Sequence, residues 1–370
     1  LYAGTEWGMY LSFDDGASWK PFQLNLPIVA IRDLHVRDND LIAATHGRSF
    51  WMIDDLTPLH QLKEEVTSAD FHLFKPDDSY RINQAGSWST PNKKLVGENH
   101  PDGVMIHYYL KDLAESDSVS IKIFDNKGSL ITTYANHTKD KKATIKPKKG
   151  GNMMVWNMRY PGFKEFKGMV LYSSPNRGPK AVPGDYVVRL TVNDESMEQS
   201  FKILKDPRLP NSKEDYQKQF DFLIKVRDKV SEAHKAIIDI RETKDDIDYL
   251  LNKIKGNSEY DQIKTMALEL KKELETIENN IHMTKNEAYQ DPLNFGIRIN
   301  NRLAFLMADQ QRGDYPPTDQ AEEFRKVVTD EMNKELEDLQ ILYDEKLNEL
   351  NKAIQNKGLR LLEGPSNDVN

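Results

Sequence analysis

The sequence predicts a multidomain chain in which two β regions precede an all-α region. Residues 1–66 contain short alternating strands with very short connections, which is the pattern of a β-propeller blade. Residues 67–205 contain longer alternating strands separated by turns, which is typical of an antiparallel β-sandwich. Residues 206–370 repeat apolar side chains every three or four positions, and this spacing indicates an antiparallel four-helix bundle.

Composition and charge exclude several classes of protein. The 370 residues contain no cysteine, so neither a disulfide framework nor a thiolate metal site is possible. No apolar run approaches the ~18 residues of a membrane helix. Residues 1–205 carry 26 basic and 25 acidic side chains, and residues 206–370 carry 25 and 34. Neither part has the basic excess of a nucleic-acid surface, so we expect no nucleic-acid partner and no membrane span.

The first β region is organised around the segment SFDDGASW, residues 12–19. Alternating apolar runs lie on both sides of Asp14-Asp15-Gly16, and such a sequence predicts a hairpin turn, since glycine adopts positive φ at no steric cost. Four antiparallel strands plus one extra strand fit within residues 1–66, which is the size of one propeller blade. The chain begins in mid-strand with LYAGTEWGMY, so we expect it to be a piece of a longer protein.

The same segment resembles the Asp-box of neuraminidase-type repeats, in a frame set by five residues: Ser12, Asp14, Gly16, Ser18 and Trp19. The run from Leu1 to Leu56 is similar to the closing blade of large secreted bacterial proteins of the sortilin-like BNR-repeat group, which are often labelled glycosyl hydrolases. The resemblance implies that the box is a structural hairpin, in which Asp14 bonds turn amides and Trp19 packs into the blade. It also implies further blades and a location outside the cytoplasm: secreted, periplasmic or on the cell surface.

The second β region contains six predicted strands: 104–110, 119–125, 130–135, 153–160, 185–192 and 198–204. The runs VWNMRYPG and PGDYVVRL resemble an immunoglobulin-like domain of the flagellar-hook-cap or fibronectin type, which implies that Trp156 and Tyr186 lie in its core. The intervening loop, 161–184, is too long for a tight hairpin and carries several apolar side chains. We expect it to cover the edge of the sandwich or the propeller, with ligand binding as the alternative.

The helical region has recognisable start and stop signals. Ser212 and Asp215 are spaced like a capping box, Thr318 can cap the last long helix, and Gly256 interrupts the pattern between the first two helices. The third helix is predicted to present Leu293 and Ile297 on its apolar face. The acidic excess lies on exposed faces, which favours solvation over partner docking.

No residue is predicted to be catalytic, to bind a cofactor or to bind a metal. Sialidase chemistry needs an arginine cluster gathered from several blades, whereas Arg32, Arg37 and Arg48 share one. The nine histidines are scattered without a metal-binding spacing, and the lysine-rich run 139–150 is typical of a solvated loop rather than a phosphate site. Arg48, in THGRSFW, is the single candidate for a ligand contact, and its alternative role is to stabilise a turn.

Two functions of different classes follow from the resemblance. The first is a non-catalytic C-terminal region of a secreted propeller protein that binds or scaffolds a peptide, a protein or a glycan through the full propeller. The alternative is an accessory C-terminal region of a secreted, sialidase-like glycoside hydrolase whose active site lies in upstream blades. A third and weaker possibility is a role in the assembly or export of another protein. Fold alone does not decide among them, because propellers support both binding and catalysis.

Overall fold

The computed structural model describes residues 1–82, 100–359 and 362. The chain forms two compact units: Leu1–Met158 with Pro183–Asp206, and Arg159–Val182 with Pro207–Asn370. The first unit is built mainly from strands and the second from helices, which confirms the predicted order of β and α regions. Within the described ranges, no helix combines the length and the apolarity needed to span a membrane.

The first six strands form two small sheets of three strands each. Their order is β1-β2-β3 and β4-β5-β6, and both sheets are antiparallel. The strands are β1 (Tyr2–Thr5), β2 (Gly8–Leu11), β3 (Lys20–Pro21), β4 (Ile31–Arg37), β5 (Asp40–Thr45) and β6 (Phe50–Ile53). Residues 22–30 form no ladder, and Leu24 has a φ of +42°, so the chain leaves the first sheet before the second begins. A small apolar core, which includes Met9, Ile31 and Leu41, is shared by the two sheets.

Two short helices and eight further strands follow in the described residues of the first unit. They are α1 (Thr57–Gln61), α2 (Glu64–Ser68), β7 (Phe71–Leu73), β8 (Ser79–Arg81), β9 (Val104–Leu110), β10 (Val119–Asp125), β11 (Leu130–Ala135), β12 (Gly150–Trp156), β13 (Gly184–Val192) and β14 (Glu195–Lys205). One sheet has the order β11-β10-β13-β14-β8, in which only β8 pairs in parallel, and the other has the order β12-β9-β7.

Trp156 joins these two sheets through its aromatic contacts. The indole, on β12, is fully buried, and its centroid lies 5.8 Å from Tyr186 on β13 and 6.1 Å from Phe201 on β14. The predicted burial of Trp156 and Tyr186 is therefore confirmed. Strand β12 ends at Trp156 rather than at residue 160, because Met158 has a φ of +58°, which a strand does not accommodate.

The helical unit begins with α3 (Lys213–Lys253) and α4 (Asp261–Ile281), separated by a 3₁₀ turn at Ser258–Tyr260. It continues with α5 (Pro292–Phe295), α6 (Ile299–Asp309), α7 (Asp319–Leu342), a π-helical turn (Tyr343–Leu347) and α8 (Asn348–Asn356). Both predicted caps are present: Ser212 and Asp215 form a capping box, and the Thr318 hydroxyl accepts from the Ala321 amide. The predicted third helix is split at Gly296, whose φ is +87°, and Leu293 and Ile297 are exposed as a result.

The prediction for loop 161–184 was wrong about the surface that it covers. Phe163, Phe166 and Leu171 lie in the apolar core of the helical unit, together with residues of α3, α4, α6 and α7. We call residues 159–182 the docked segment. Its place in the core was missed because an isolated loop sequence does not specify which neighbouring surface receives its apolar side chains.

Replacing Trp156 with alanine tests the aromatic contact between the two larger sheets. We expect W156A to lower the free energy of unfolding of the first unit by about 3–5 kcal/mol, since it removes a fully buried aromatic ring. The matched control is W7A, because Trp7 is 77% exposed and its loss should change stability by less than about 0.5 kcal/mol. Urea unfolding followed by circular dichroism measures both, and equal effects of the two variants would contradict the assignment.

Candidate functional site

The Asp-box is a turn in which every carboxylate oxygen of Asp14 accepts a hydrogen bond. The Ser12 hydroxyl and the Ser18 amide both donate to Asp14 Oδ1 at 2.8 Å, and the Ser18 hydroxyl donates to Oδ2 at 2.5 Å. The Gly16 amide in turn donates to Ser12 Oγ at 2.8 Å. Hydrogen bonds from Ser18 and then from Ser12 lower the pKa of Asp14 to about 2. The carboxylate is therefore held ionised and directed into its own turn.

Trp19 does not pack into the sheet as the resemblance implied. Its side chain is 42% exposed and lies over the turn, where a Cβ atom at Gly16 would be 3.7 Å from the Trp19 ring. The reason is that β3, which follows Trp19, has only two residues and lies at the edge of its sheet. The indole covers the box instead of contributing to the core.

Arg48 lies in a tight turn between β5 and β6, and the contacts of this turn involve its backbone. The Arg48 amide donates to Thr45 Oγ1 at 3.1 Å, and the Trp51 indole N–H donates to the Arg48 carbonyl at 2.9 Å. Thr45 also donates from its hydroxyl to the Ser49 carbonyl at 2.5 Å. The Arg48 side chain is exposed, so the turn fixes its position while leaving the guanidinium open to solvent.

Sequence reasoning missed an acid-lined cavity of about 330 Å³ in the first unit. Its walls come from the β4–β5 turn, the residues after β6, the residues around β8 and those before β9. Seven aspartates line it, together with His100: Asp38, Asp40, Asp54, Asp55, Asp77, Asp78 and Asp102. The available signal was the repeated placement of paired acids next to strand ends, in DND 38–40, DD 54–55 and DD 77–78.

Asp55, in the wall of this cavity, accepts hydrogen bonds from three separate segments of the chain. His107 Nε2 donates to Asp55 Oδ2 at 3.0 Å, while the Asn39 side-chain amide and the Thr57 backbone amide donate to Oδ1 at 2.8 Å. Burial raises the pKa of Asp55, but the hydrogen bonds from His107 and Thr57 outweigh it and the pKa is lowered. The arrangement ties β6, the β4–β5 turn and β9 together at one buried carboxylate.

The pKa of Asp40, which lines the same cavity, is shifted in the opposite direction. Burial and the nearby negative charge of Asp54 raise the pKa of Asp40. The cavity therefore holds one carboxyl group with a raised pKa and one with a lowered pKa. Among the residues that the structure describes, no group of three or more histidine, aspartate or glutamate side chains is arranged to hold a metal ion.

No protein-family model matches this chain, and no curated protein matches it. Conclusions about its function therefore depend on the residues of the Asp-box, the turn at Arg48 and the acid-lined cavity.

Replacing Asp14 with asparagine tests whether the Asp-box is structural. We expect D14N to lower the urea midpoint of the first unit at pH 7, because the amide places an N–H group where an acceptor is required. Since the pKa of Asp14 is lowered, its stabilisation is present above the ordinary aspartate pKa and is lost as the pH falls from about 4 to about 2. D14N should lack that part of the acid dependence.

The matched control for this prediction is D15N. Asp15 has a φ of +53°, a conformation that asparagine also tolerates, and its side chain is exposed. Urea unfolding at several pH values, followed by tryptophan fluorescence, compares the two variants. A D14N midpoint indistinguishable from that of D15N would show that the Asp14 carboxylate does not stabilise the turn.

His107 variants test the buried partner of Asp55. H107L removes the donor and should lower the free energy of unfolding by about 1–3 kcal/mol, because it leaves a buried carboxylate with fewer hydrogen bonds. H107Q places an amide N–H near the position of Nε2 and should restore most of that stability. Chemical denaturation measures the difference, and equal stability of H107L and H107Q would exclude a stabilising role for this contact.

Proposed function

We propose that this chain is the non-catalytic C-terminal region of a secreted propeller protein of the sortilin-like BNR-repeat type, located outside the cytoplasm, where it binds or scaffolds a protein, a peptide or a glycan. The observation that carries the proposal is the geometry of Asp14. A catalytic carboxylate must be able to reach a substrate atom. Both oxygens of Asp14 instead accept hydrogen bonds from Ser12 and Ser18 within one turn, which supports a structural role for the box.

The proposal includes three architectural parts. We infer that β1–β6 form part of a terminal propeller blade, that β7–β14 form an immunoglobulin-like sandwich, and that α3, α4, α6 and α7 form an antiparallel bundle. The contacts of Trp156 with the opposite sheet support the sandwich, and the shared apolar core of the four helices supports the bundle.

Arg48 is the ligand contact that we propose within this region. Its backbone is fixed by Thr45 and Trp51, whereas its side chain is exposed. A cation on a rigid turn can meet a carboxylate of a peptide or an acidic sugar with little loss of conformational freedom. The fold does not require the guanidinium in any hydrogen bond that holds the turn.

A second candidate is a secreted glycoside hydrolase whose carboxyl pair lies in this chain, at the acid-lined cavity, rather than in upstream blades. Glycosidases pair a carboxyl group of raised pKa with one that stays ionised, and Asp40 and Asp55 shift in these two directions. Against catalysis, Asp55 Oδ1 and Oδ2 both accept hydrogen bonds from protein groups. We therefore favour a structural role for Asp55 and a binding role for the chain.

Enzyme assays separate the two candidates. We expect no turnover when the purified chain is incubated with a panel of fluorogenic sialosides and hexosides at pH 4 to 8. Hydrolysis that D40N or D55N abolishes, while D15N retains it, would overturn the non-catalytic proposal and favour the hydrolase.

Binding assays test the proposal directly. A printed glycan array and a displayed random-peptide library serve as probes, and we expect saturable binding to acidic members of at least one of them. R48A should weaken that binding at least tenfold, whereas R37A, which removes another exposed arginine of the same region, should leave it within twofold. Equal loss in both variants would show non-specific charge attraction, and no binding to either probe would contradict the proposal.

A further inference from the structure

The docked segment is held on the helices by side chains that bond its backbone. Ser231 Oγ accepts from the Lys164 amide at 3.1 Å, and Arg241 donates to the Lys167 carbonyl at 2.6 Å. Asn301 both accepts from the Tyr172 amide at 2.8 Å and donates to the Tyr172 carbonyl at 3.0 Å. These side chains supply hydrogen-bond partners to backbone groups of the segment that are not paired in a helix or a sheet.

A buried polar network lies beneath this segment. His234 on α3 is fully buried, and its Nδ1 donates to the Lys164 carbonyl at 2.5 Å. The remaining nitrogen, Nε2, must therefore accept, and it receives the Asn300 side-chain amide at 3.1 Å. The same amide also reaches His282 Nδ1 at 3.2 Å. Asn300 thus gives its two hydrogens to two imidazoles, and both rings must be neutral for this pattern to form.

Aromatic side chains of the docked segment cover both imidazoles. The His234 ring meets the rings of Phe163 and Phe166 edge-on, at centroid distances of 5.4 and 4.9 Å. The His282 ring also meets the Phe166 ring edge-on, at a centroid distance of 4.9 Å. Because two rings from the segment exclude water from the network, moving the segment away would hydrate both histidines.

The charged groups around the network oppose protonation of His282 more than they support it. Arg241 on α3 lies 4.9 Å from the Phe166 ring centroid and donates from Nε to Glu278 on α4, which also accepts from Lys244. Glu278 is thus neutralised by two cations. Glu165, on the segment itself, favours a charged His234, and α6 contributes only the uncharged Asn300 amide to the network.

We propose that His234, Asn300 and His282 form an acid-sensitive latch that holds the docked segment on the helices when both imidazoles are neutral and releases it when they are protonated. Adding a proton to His234 Nε2 or to His282 Nδ1 directs an N–H group at an N–H group of Asn300. Asn300 Oδ1 has no hydrogen-bond partner among the described residues, so the amide is bonded in the network only through its two N–H groups.

The direction of the pH dependence follows from the burial of the two rings. Burial lowers the pKa of His234 and of His282 to about 4 in the folded protein, against about 6.5 for a hydrated imidazole. The released state therefore binds more protons between these two values. The stabilisation is complete above about pH 6.5 and is lost as the pH falls toward 4, by up to about tenfold in the docked-to-released ratio for each histidine and each pH unit.

Hydrogen exchange measured by mass spectrometry tests the latch on the whole chain. Protection factors, corrected for the intrinsic pH dependence of exchange, are compared at pH 7.5 and 4.5. We expect peptides covering residues 161–174 to lose at least ten times more protection than peptides of α7, which belongs to the same unit and shares no hydrogen bond or ring contact with His234, Asn300 or His282. Loss of protection in α7 to the same extent would mean that the unit unfolds as a whole, and it would overturn the proposal.

A pair of variants separates protonation from general instability. In H234Q/H282N the amide oxygens take the positions of Nε2 and Nδ1, so they accept from Asn300 but do not titrate, and the acid-induced loss should disappear. In N300D a carboxylate faces both rings, so protection of the segment should become greater at pH 4.5 than at pH 7.5.

The matched control is H35Q, which removes an exposed histidine of β4 and should leave the acid response unchanged. If one of the network variants fails to fold, the other still decides the result. Retention of the full acid response in H234Q/H282N, or equal protection of the wild-type segment at both pH values, would overturn the latch. The second result would show that the Asn300 amide reverses to accept from the protonated rings without releasing the segment.

Discussion

The structure depends on one requirement: backbone groups outside its helices and sheets must find hydrogen-bond partners. Peptide groups outside helices and sheets must find other partners when they are buried, and this chain meets the requirement with polar side chains. Asp14 bonds the amide of its own turn, Asp55 bonds the amide of Thr57, and Asn301 bonds both backbone groups of Tyr172. Removing one of these side chains would leave a peptide group unpaired, so their identities are restricted by the fold itself.

The same constraint shapes the functional proposal. Carboxylates that stand out in the sequence, above all Asp14, are engaged with the backbone, which favours binding over catalysis for this chain. Asp40 differs, because it faces a cavity with its pKa raised, and this is the observation that keeps the hydrolase as a second candidate. In the helical unit, one of the side chains that bonds irregular backbone can titrate. His234 donates to the Lys164 carbonyl of the docked segment, and the hydrogen bond that it accepts from Asn300 requires a neutral imidazole.

Much of the regular structure was predictable because it follows from local patterns. Strands 104–110, 119–125 and 130–135 and the caps at Ser212 and Thr318 agree with the sequence-based predictions. The failures are non-local. The docked segment depends on Ser231, Arg241 and Asn301, which lie far along the chain, and the acid-lined cavity gathers residues from four separate segments. The Asp-box frame predicted a turn in which Asp14 bonds amides; in the structure the Asp14 carboxylate accepts from Ser12 and Ser18, and Trp19 lies over the turn at a sheet edge.

The central claim is that the carboxylates of Asp14 and Asp55 are structural, since they accept hydrogen bonds from nearby protein groups instead of binding a substrate. A carboxyl-detected NMR titration of the whole chain is its most direct test. We expect Asp14 to titrate at about 2 and Asp55 below the ordinary aspartate value, with Asp40 above it. An Asp14 that titrates at the ordinary value would mean that its hydrogen bonds to Ser12 and Ser18 are absent in solution. The carboxylate would then be free to meet a ligand, and the structural role of the Asp-box would be contradicted.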